Sequence, residues 1–107
     1  MTLSELQQAI DAWISQFEEG YWPPLVNLAR LTEEVGELAR EINHHHGPKT
    51  KKADEDEGSI AEELGDILFT VATLANSLGI DLDDVARRNL DKVHRRDTSR
   101  WVKRTTT

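Results

Sequence analysis

Two runs decide how this chain folds: LTEEVGELAREI at residues 31–42 and IAEELGDILFTVATL at residues 60–74. In and around the first, apolar residues recur at Leu28, Leu31, Val35, Leu38 and Ile42. In and around the second they recur at Ile60, Leu64, Ile67, Val71, Leu74 and Leu78. Spacing of three and four is the period of a helix with one buried face, not of a strand. Each run also holds one five-residue word, Glu33-Glu34-Val35-Gly36-Glu37 in the first and Glu62-Glu63-Leu64-Gly65-Asp66 in the second.

Working outward, the spacing predicts a helix from Pro24 to His45, stopped by Gly47-Pro48. It predicts another that starts after Ser59, which with Glu62 makes a capping box, and ends at Gly79. Leu3, Leu6, Ile10, Trp13, Ile14 and Phe17 predict a first helix from Leu3 to Glu18, opened by Thr2 with Glu5. Gly20 closes it, and Pro23-Pro24 mark the turn onward. A fourth helix follows the cap Asp81, with Leu82, Val85, Ala86, Leu90 and Val93 apolar. Residues 47–58, GPKTKKADEDEG, offer nothing to bury and read as a mobile loop; residues 103–107 read as a disordered tail. The expectation is one all-α domain over residues 1–107, a bundle of about four helices.

A chain of 107 residues buries only about 65% of its unfolded surface on size scaling. Oligomerisation is therefore expected to complete the core. The charge, 13 basic against 20 acidic residues, is −7, which speaks against a nucleic-acid partner. No run approaches the ~18 apolar residues of a membrane span. With no cysteine there is no disulfide, thiolate metal site or cysteine nucleophile, and a cytoplasmic location is expected. From Ala53 to Ala86 the chain has ten acids and no Lys or Arg; the bases gather afterwards, from Arg87 to Arg104.

At about 100° per residue, Glu34 and Glu37 fall on one flank of the Leu31 direction, and Glu63 and Asp66 fall on the matching flank from Ile60. If the two helices pack antiparallel, four carboxylates converge along one seam. Solvated acids on surface helices are the plainer alternative. Three features weigh against it. The like charges Glu33/Glu37, Glu37/Glu41 and Glu62/Asp66 each oppose their helix. Gly36 and Gly65 each cost about 1 kcal/mol inside a helix, which close helix approach or ligand access would explain. The word also recurs in the same phase. Converging carboxylates raise one another's pKa unless a cation joins them, and all-oxygen ligation suits Mg²⁺ or Mn²⁺. Mg²⁺ held by few protein ligands also takes phosphate oxygens, so a polyphosphate substrate is implied. Glu33 and Glu62 point away from their stripes, as outer or intersubunit groups or merely exposed ones.

On the fourth helix, Asn89, Lys92 and Arg96 stand at i, i+3 and i+7. They read either as a core amide with snorkelling cations or, opposite a metal seam, as ligands of phosphate or sugar. Lys49, Lys51 and Lys52 are candidates for a lid over phosphates, with solvated loop lysines the alternative.

These residues resemble the MazG-like nucleotide pyrophosphohydrolases, all-α enzymes with ExxE and ExxD on two helices. Here the pattern is Glu34 to Glu37 and Glu63 to Asp66, with 25 residues between Glu37 and Glu63. The likeness runs from about Phe17 to Trp101, most closely to the small single-domain YpjD-like branch. The family's NxxK element is met by Asn89 and Lys92 alone. The resemblance implies Mg²⁺-dependent hydrolysis of a nucleoside triphosphate to the monophosphate and pyrophosphate, a reaction suited to nucleotide-pool house-cleaning. It implies Glu34, Glu37, Glu63 and Asp66 as metal ligands and Asn89 and Lys92 as substrate contacts; Arg96 joins them on helical spacing. Glu33 or Glu62 is the candidate for taking the proton of water. A homodimer or homotetramer is implied, with sites near subunit contacts. Some relatives bind the base with side chains of the first helix, where this chain has Trp13 and Phe17, followed by Tyr21 and Trp22; a core stripe is the alternative for these aromatics.

Two rivals exist. A di-iron bundle needs two ExxH elements, and only Glu41 to His44 supplies one, with Asp91 to His94 an imperfect second. His44-His45-His46 fan apart on a helix and do not chelate together. The other rival is a non-catalytic helical module that binds nucleotide or a partner, against which the four-acid set argues.

Overall fold

The computed structural model describes residues 1–48 and 59–105. The expected loop at 47–58, apart from its first two residues, lies outside them, as do Lys49, Lys51 and Lys52 and the last two tail residues. Four helices make up the architecture: α1 (Leu3–Ser15), α2 (Pro24–His46), α3 (Ile60–Ser77) and α4 (Leu82–Asp97). No strand occurs among the described residues.

Local chemistry sets most of the boundaries. The Thr2 hydroxyl accepts from Glu5 N–H at 3.0 Å and Glu5 Oε1 accepts from Thr2 N–H at 2.8 Å, a closed capping box. Ser59 and Asp81 cap α3 and α4 through Glu62 N–H and Asp83 N–H. At the end of α3, Gly79 takes φ +69° while Ile80 N–H reaches Ala75 O and Gly79 N–H reaches Asn76 O. Both bonds of a Schellman turn are thus made. The first helix ends earlier than its stripe suggests, at Ser15 rather than Glu18. Phe17 N–H turns to Ile14 O, a tighter three-residue closure, and Gly20 at φ +66° redirects the chain.

The packing departs from a closed bundle. α2 and α3 form a hairpin, α1 lies against α3, and α4 packs against α1 rather than over the hairpin. The radius of gyration is 18.0 Å, against about 13 Å for a compact chain of 100 residues. The chain exposes 8509 Å², where a compact protein of 12.2 kDa exposes about 6,100 Å². Parts of the expected stripes are consequently uncovered: Leu28, Val35, Ile42, Leu64, Leu78 and Leu90 are exposed, whereas Leu31, Leu38, Ile67, Val71 and Leu74 are half-buried. The buried positions of α2 are instead Asn27, Glu34 and Glu41, spaced by seven, and those of α3 are Thr70, Ala72, Thr73 and Ala75. Small and polar side chains let the helices approach, and Leu28, Leu64, Leu78 and Leu90 are left exposed.

A satisfied polar cluster holds α1 to the end of α3. Gln7 Nε2 donates to Asn76 Oδ1 and to Ile80 O, and Gln7 Oε1 accepts from Leu82 N–H. Asn76 Nδ2 donates to Gln7 O and to Tyr21 Oη, whose own hydroxyl donates to Asp11 at 2.6 Å. This cluster sets where α4 begins.

Candidate functional site

The hairpin brings three of the four predicted carboxylates together. Glu34 and Glu37 on α2 and Glu63 on α3 each offer an oxygen, and these atoms lie within 4.8 Å of one another. Asp66 stands beside the trio, exposed, and near enough for Glu34 and Glu63 to feel its charge. The i, i+3 spacing on each helix and the antiparallel crossing produce this seam. Glu34 is 8% exposed, Glu63 is half-buried and Glu37 is exposed. Glu33 and Glu62 face solvent.

The electrostatics of the seam are unfavourable without a cation. Burial, then the charges of Glu37 and Asp66, push the Glu34 carboxyl above the ordinary carboxylate range. Burial, then Glu37, push Glu63 up as well, with Asp66 and Glu34 adding to the effect. Glu34 Oε2 and Glu63 Oε2 are buried with no hydrogen-bond donor reaching them among the described residues. The Arg30 guanidinium is 3.9 Å from Glu34 Oε1, the other oxygen of that carboxylate. Buried acceptors left unpaired, all of them carboxylate oxygens, fit a hard divalent cation.

One turn along each helix from the seam, the α1–α2 connection and α3 enclose a cavity of about 240 Å³. Its walls are aromatic: Trp13, Phe17, Tyr21, Trp22 and Phe69. Trp13 and Phe17 meet edge to face at 4.9 Å, and the Arg30 guanidinium lies 5.8 Å from the Trp22 ring. Arg30 therefore bridges cavity and seam. Asn27, 2% exposed, and the buried Thr70 and Thr73 supply polar groups to the cavity. Sequence reasoning passed over Arg30, Asn27, Thr70 and Thr73. The signal was available for two of them, since Asn27 and Arg30 precede Glu34 by seven and four residues on one helix face.

The fourth helix is placed differently from the sequence expectation of a helix opposite the seam. Asn89, Lys92 and Arg96 are exposed, on a helix with no buried residue. Arg96 is held by its neighbour Asp97 through bonds of 3.0 to 3.2 Å. Because α4 packs on α1, the chain does not bring these three residues over its own carboxylates. Of the two explanations for the glycines, close helix approach finds no support among the described residues: a Cβ built on Gly36 or Gly65 meets nothing within 4 Å, which leaves ligand access.

Comparison with known proteins places the arrangement. The MazG nucleotide pyrophosphohydrolase domain matches residues 23–101. The Bacillus subtilis protein YpjD is 50% identical over 103 residues, 96% of this chain and 93% of that one. Its crystal structure superposes with a TM-score of 0.77, at 52% identity over 86% of this chain and 94% of that chain. The crystal structure of the Bacillus-conserved MazG protein, a nucleotide pyrophosphohydrolase, gives a TM-score of 0.76 at 47% identity, over 91% of this chain and 94% of that chain. The carboxylate seam, the four helices and these likenesses agree: the chain belongs to the MazG nucleotide pyrophosphohydrolase family.

Proposed function

We propose that the protein hydrolyses a nucleoside triphosphate to the monophosphate and pyrophosphate, with Mg²⁺ (or Mn²⁺) held by Glu34, Glu37, Glu63 and Asp66. The observation that carries this reading is the buried pair Glu34 Oε2 and Glu63 Oε2, unpaired beside further carboxylates and next to an aromatic cavity. When bound, the cation supplies neutralisation of phosphate charge and a lowered pKa for the attacking water. Glu33 or Glu62, exposed outside the crowded seam, would take the proton of the attacking water. The aromatic cavity stacks the base, and Arg30, between cavity and seam, meets the phosphate next to the sugar.

The remaining phosphate contacts come from another copy of the chain. Asn89, Lys92 and Arg96 are exposed on α4, which packs on α1, while the exposed Val35 and Leu64 stand between the seam acids on their helices. A homodimer or homotetramer joins the two: basic α4 residues of one copy stand over the acidic face of the next. The surface in excess of a compact chain is well above the ~800 Å² that one partner contributes to a standard interface. No described helix is long and apolar enough to cross a membrane, in keeping with action on free nucleotides in the cytoplasm. Pool house-cleaning is the role such a reaction serves.

The test is to incubate the protein with each ribo- and deoxyribonucleoside triphosphate and Mg²⁺, then assay pyrophosphate and monophosphate. Equal release of both products is expected. Release of inorganic phosphate instead, or of no product from any nucleotide, refutes the reading.

A further inference from the structure

The uncharged polar side chains on the helical wall of the cavity, Asn27, Thr70 and Thr73, present acceptors to it. Thr70 Oγ1 donates to Asp66 O and Thr73 Oγ1 donates to Phe69 O, each at 2.8 Å. Both hydroxyl protons are thereby committed to the helix, and what the oxygens retain is acceptor capacity. Asn27 Nδ2 donates to Trp22 O at 3.4 Å. Flipping that amide would set Oδ1 against a carbonyl oxygen, so Oδ1 is the end that Asn27 offers to the cavity it lines. Glu19, at the rim, accepts from Trp22 Nε1 and is itself a carboxylate. The Tyr21 hydroxyl is spent on Asp11 and Asn76. Arg30 is the one cationic donor of the lining, and it faces Trp22 and Glu34.

Resting on the assignment of this cavity to the base, we propose that Asn27, Thr70 and Thr73 select a base carrying an exocyclic amine, the 4-amino group of cytosine or the 6-amino group of adenine. An amine donates both protons to these acceptors. The 4-oxo group of uracil or thymine sets oxygen against oxygen, and a threonine that turns its proton inward gives up its bond to the helix carbonyl. Sites that hydrogen-bond one substrate group reject the analogue lacking it far more strongly than sites that only fit its shape.

Cytidine and uridine triphosphates test this as a matched pair. Hydrolysis of the cytidine nucleotide is expected at a kcat/KM at least about tenfold higher, and Thr73→Val and Asn27→Leu should each narrow the ratio. The ratio is taken within one preparation, so partial unfolding of a variant does not disturb it. A second arm needs no turnover: quenching of Trp13 and Trp22 fluorescence by cytidine and uridine monophosphates, with the cytidine nucleotide binding more tightly. A uridine nucleotide handled as well or better in either arm, or a ratio unmoved by both variants, overturns the selection. Absent turnover with the binding preference intact refutes the hydrolysis and leaves the base selection standing.

Discussion

Asp83, in the first turn of α4, caps the start of α1: its carboxylate accepts from Ser4 N–H at 3.1 Å and from Leu3 N–H at 3.2 Å. The Ser4 hydroxyl returns a bond to Asp81 at 3.0 Å. These bonds hold Asp83 below the ordinary carboxylate range, with Ser4 the leading cause. Two helix N-termini are thereby tied together, and the direction in which α4 leaves the hairpin is set at its root. Replacing Asp83 with Ala removes both bonds and should lower the melting temperature by several degrees. An unchanged thermal transition would show that α4 is oriented by something else.

If α4 serves a neighbouring copy, two inactive variants should repair one another. Glu63→Gln disables the seam and Lys92→Ala disables the phosphate contact, on different subunits' contributions to one site. Co-expressed and purified as mixed oligomers, they should regain turnover that neither shows alone. Mixed oligomers with no recovered activity would place both groups in the same chain's site.

Glu63→Gln by itself separates stability from catalysis. Outer-shell changes at metal sites already cost up to about a hundredfold, so loss of a direct ligand should lower turnover by at least that factor. The fold should survive, because the change relieves like-charge crowding in the seam. Thermal unfolding without metal should occur at or above the wild-type temperature, and the upward shift produced by added Mg²⁺ should shrink. Wild-type activity in this variant would remove Glu63 from the metal site.

The pH dependence follows from the same crowding. Glu34 and Glu63 bind protons more tightly folded than unfolded, so lowering the pH from 7 towards the ordinary glutamate range should stabilise the metal-free protein. Their penalty is absent at pH values below that range and complete once both are ionised. Further acidification reverses the trend, since the depressed Glu5 and Asp83 carboxyls lose their contributions on protonation. Saturating Mg²⁺ should flatten this rise by replacing the protons with a cation. Melting curves across this range, with and without Mg²⁺, check the sign.

Gln7→Leu should cost about 2–3 kcal/mol, because it strands Leu82 N–H and Asn76 in a part-buried position where Gln7 now serves both. Denaturant titration measures it. A change well under 1 kcal/mol would mean that water replaces the side chain there.

Caps were legible in the sequence because their chemistry is local: Thr2, Ser59 and Asp81 each satisfy donors within three residues. The ExxE and ExxD words were legible for a similar reason, since helical spacing fixes the flank on which Glu34, Glu37 and Glu63 stand. The facing of the leucines was not legible. Periodicity shows that Leu28, Val35 and Leu64 share a face with their neighbours but not what covers that face, and all three are exposed here. The hairpin contact escaped notice because Asn27, Thr70 and Thr73 carry little hydrophobic signal, although their small size and internal bonds suit close packing. The route of α4 depended on Asp83 and Gln7 bonding to residues more than seventy positions away, which no local pattern records.

The open space above Gly36 and Gly65 has a consequence for mutational tolerance. A methyl at either site meets no neighbour within 4 Å among the described residues, and helix propensity alone favours alanine by about 1 kcal/mol. Packing among the described residues therefore gives no reason for glycine at either position. A saturation screen at the two positions, scored separately for thermal resistance and for activity, would read out whatever visits that void.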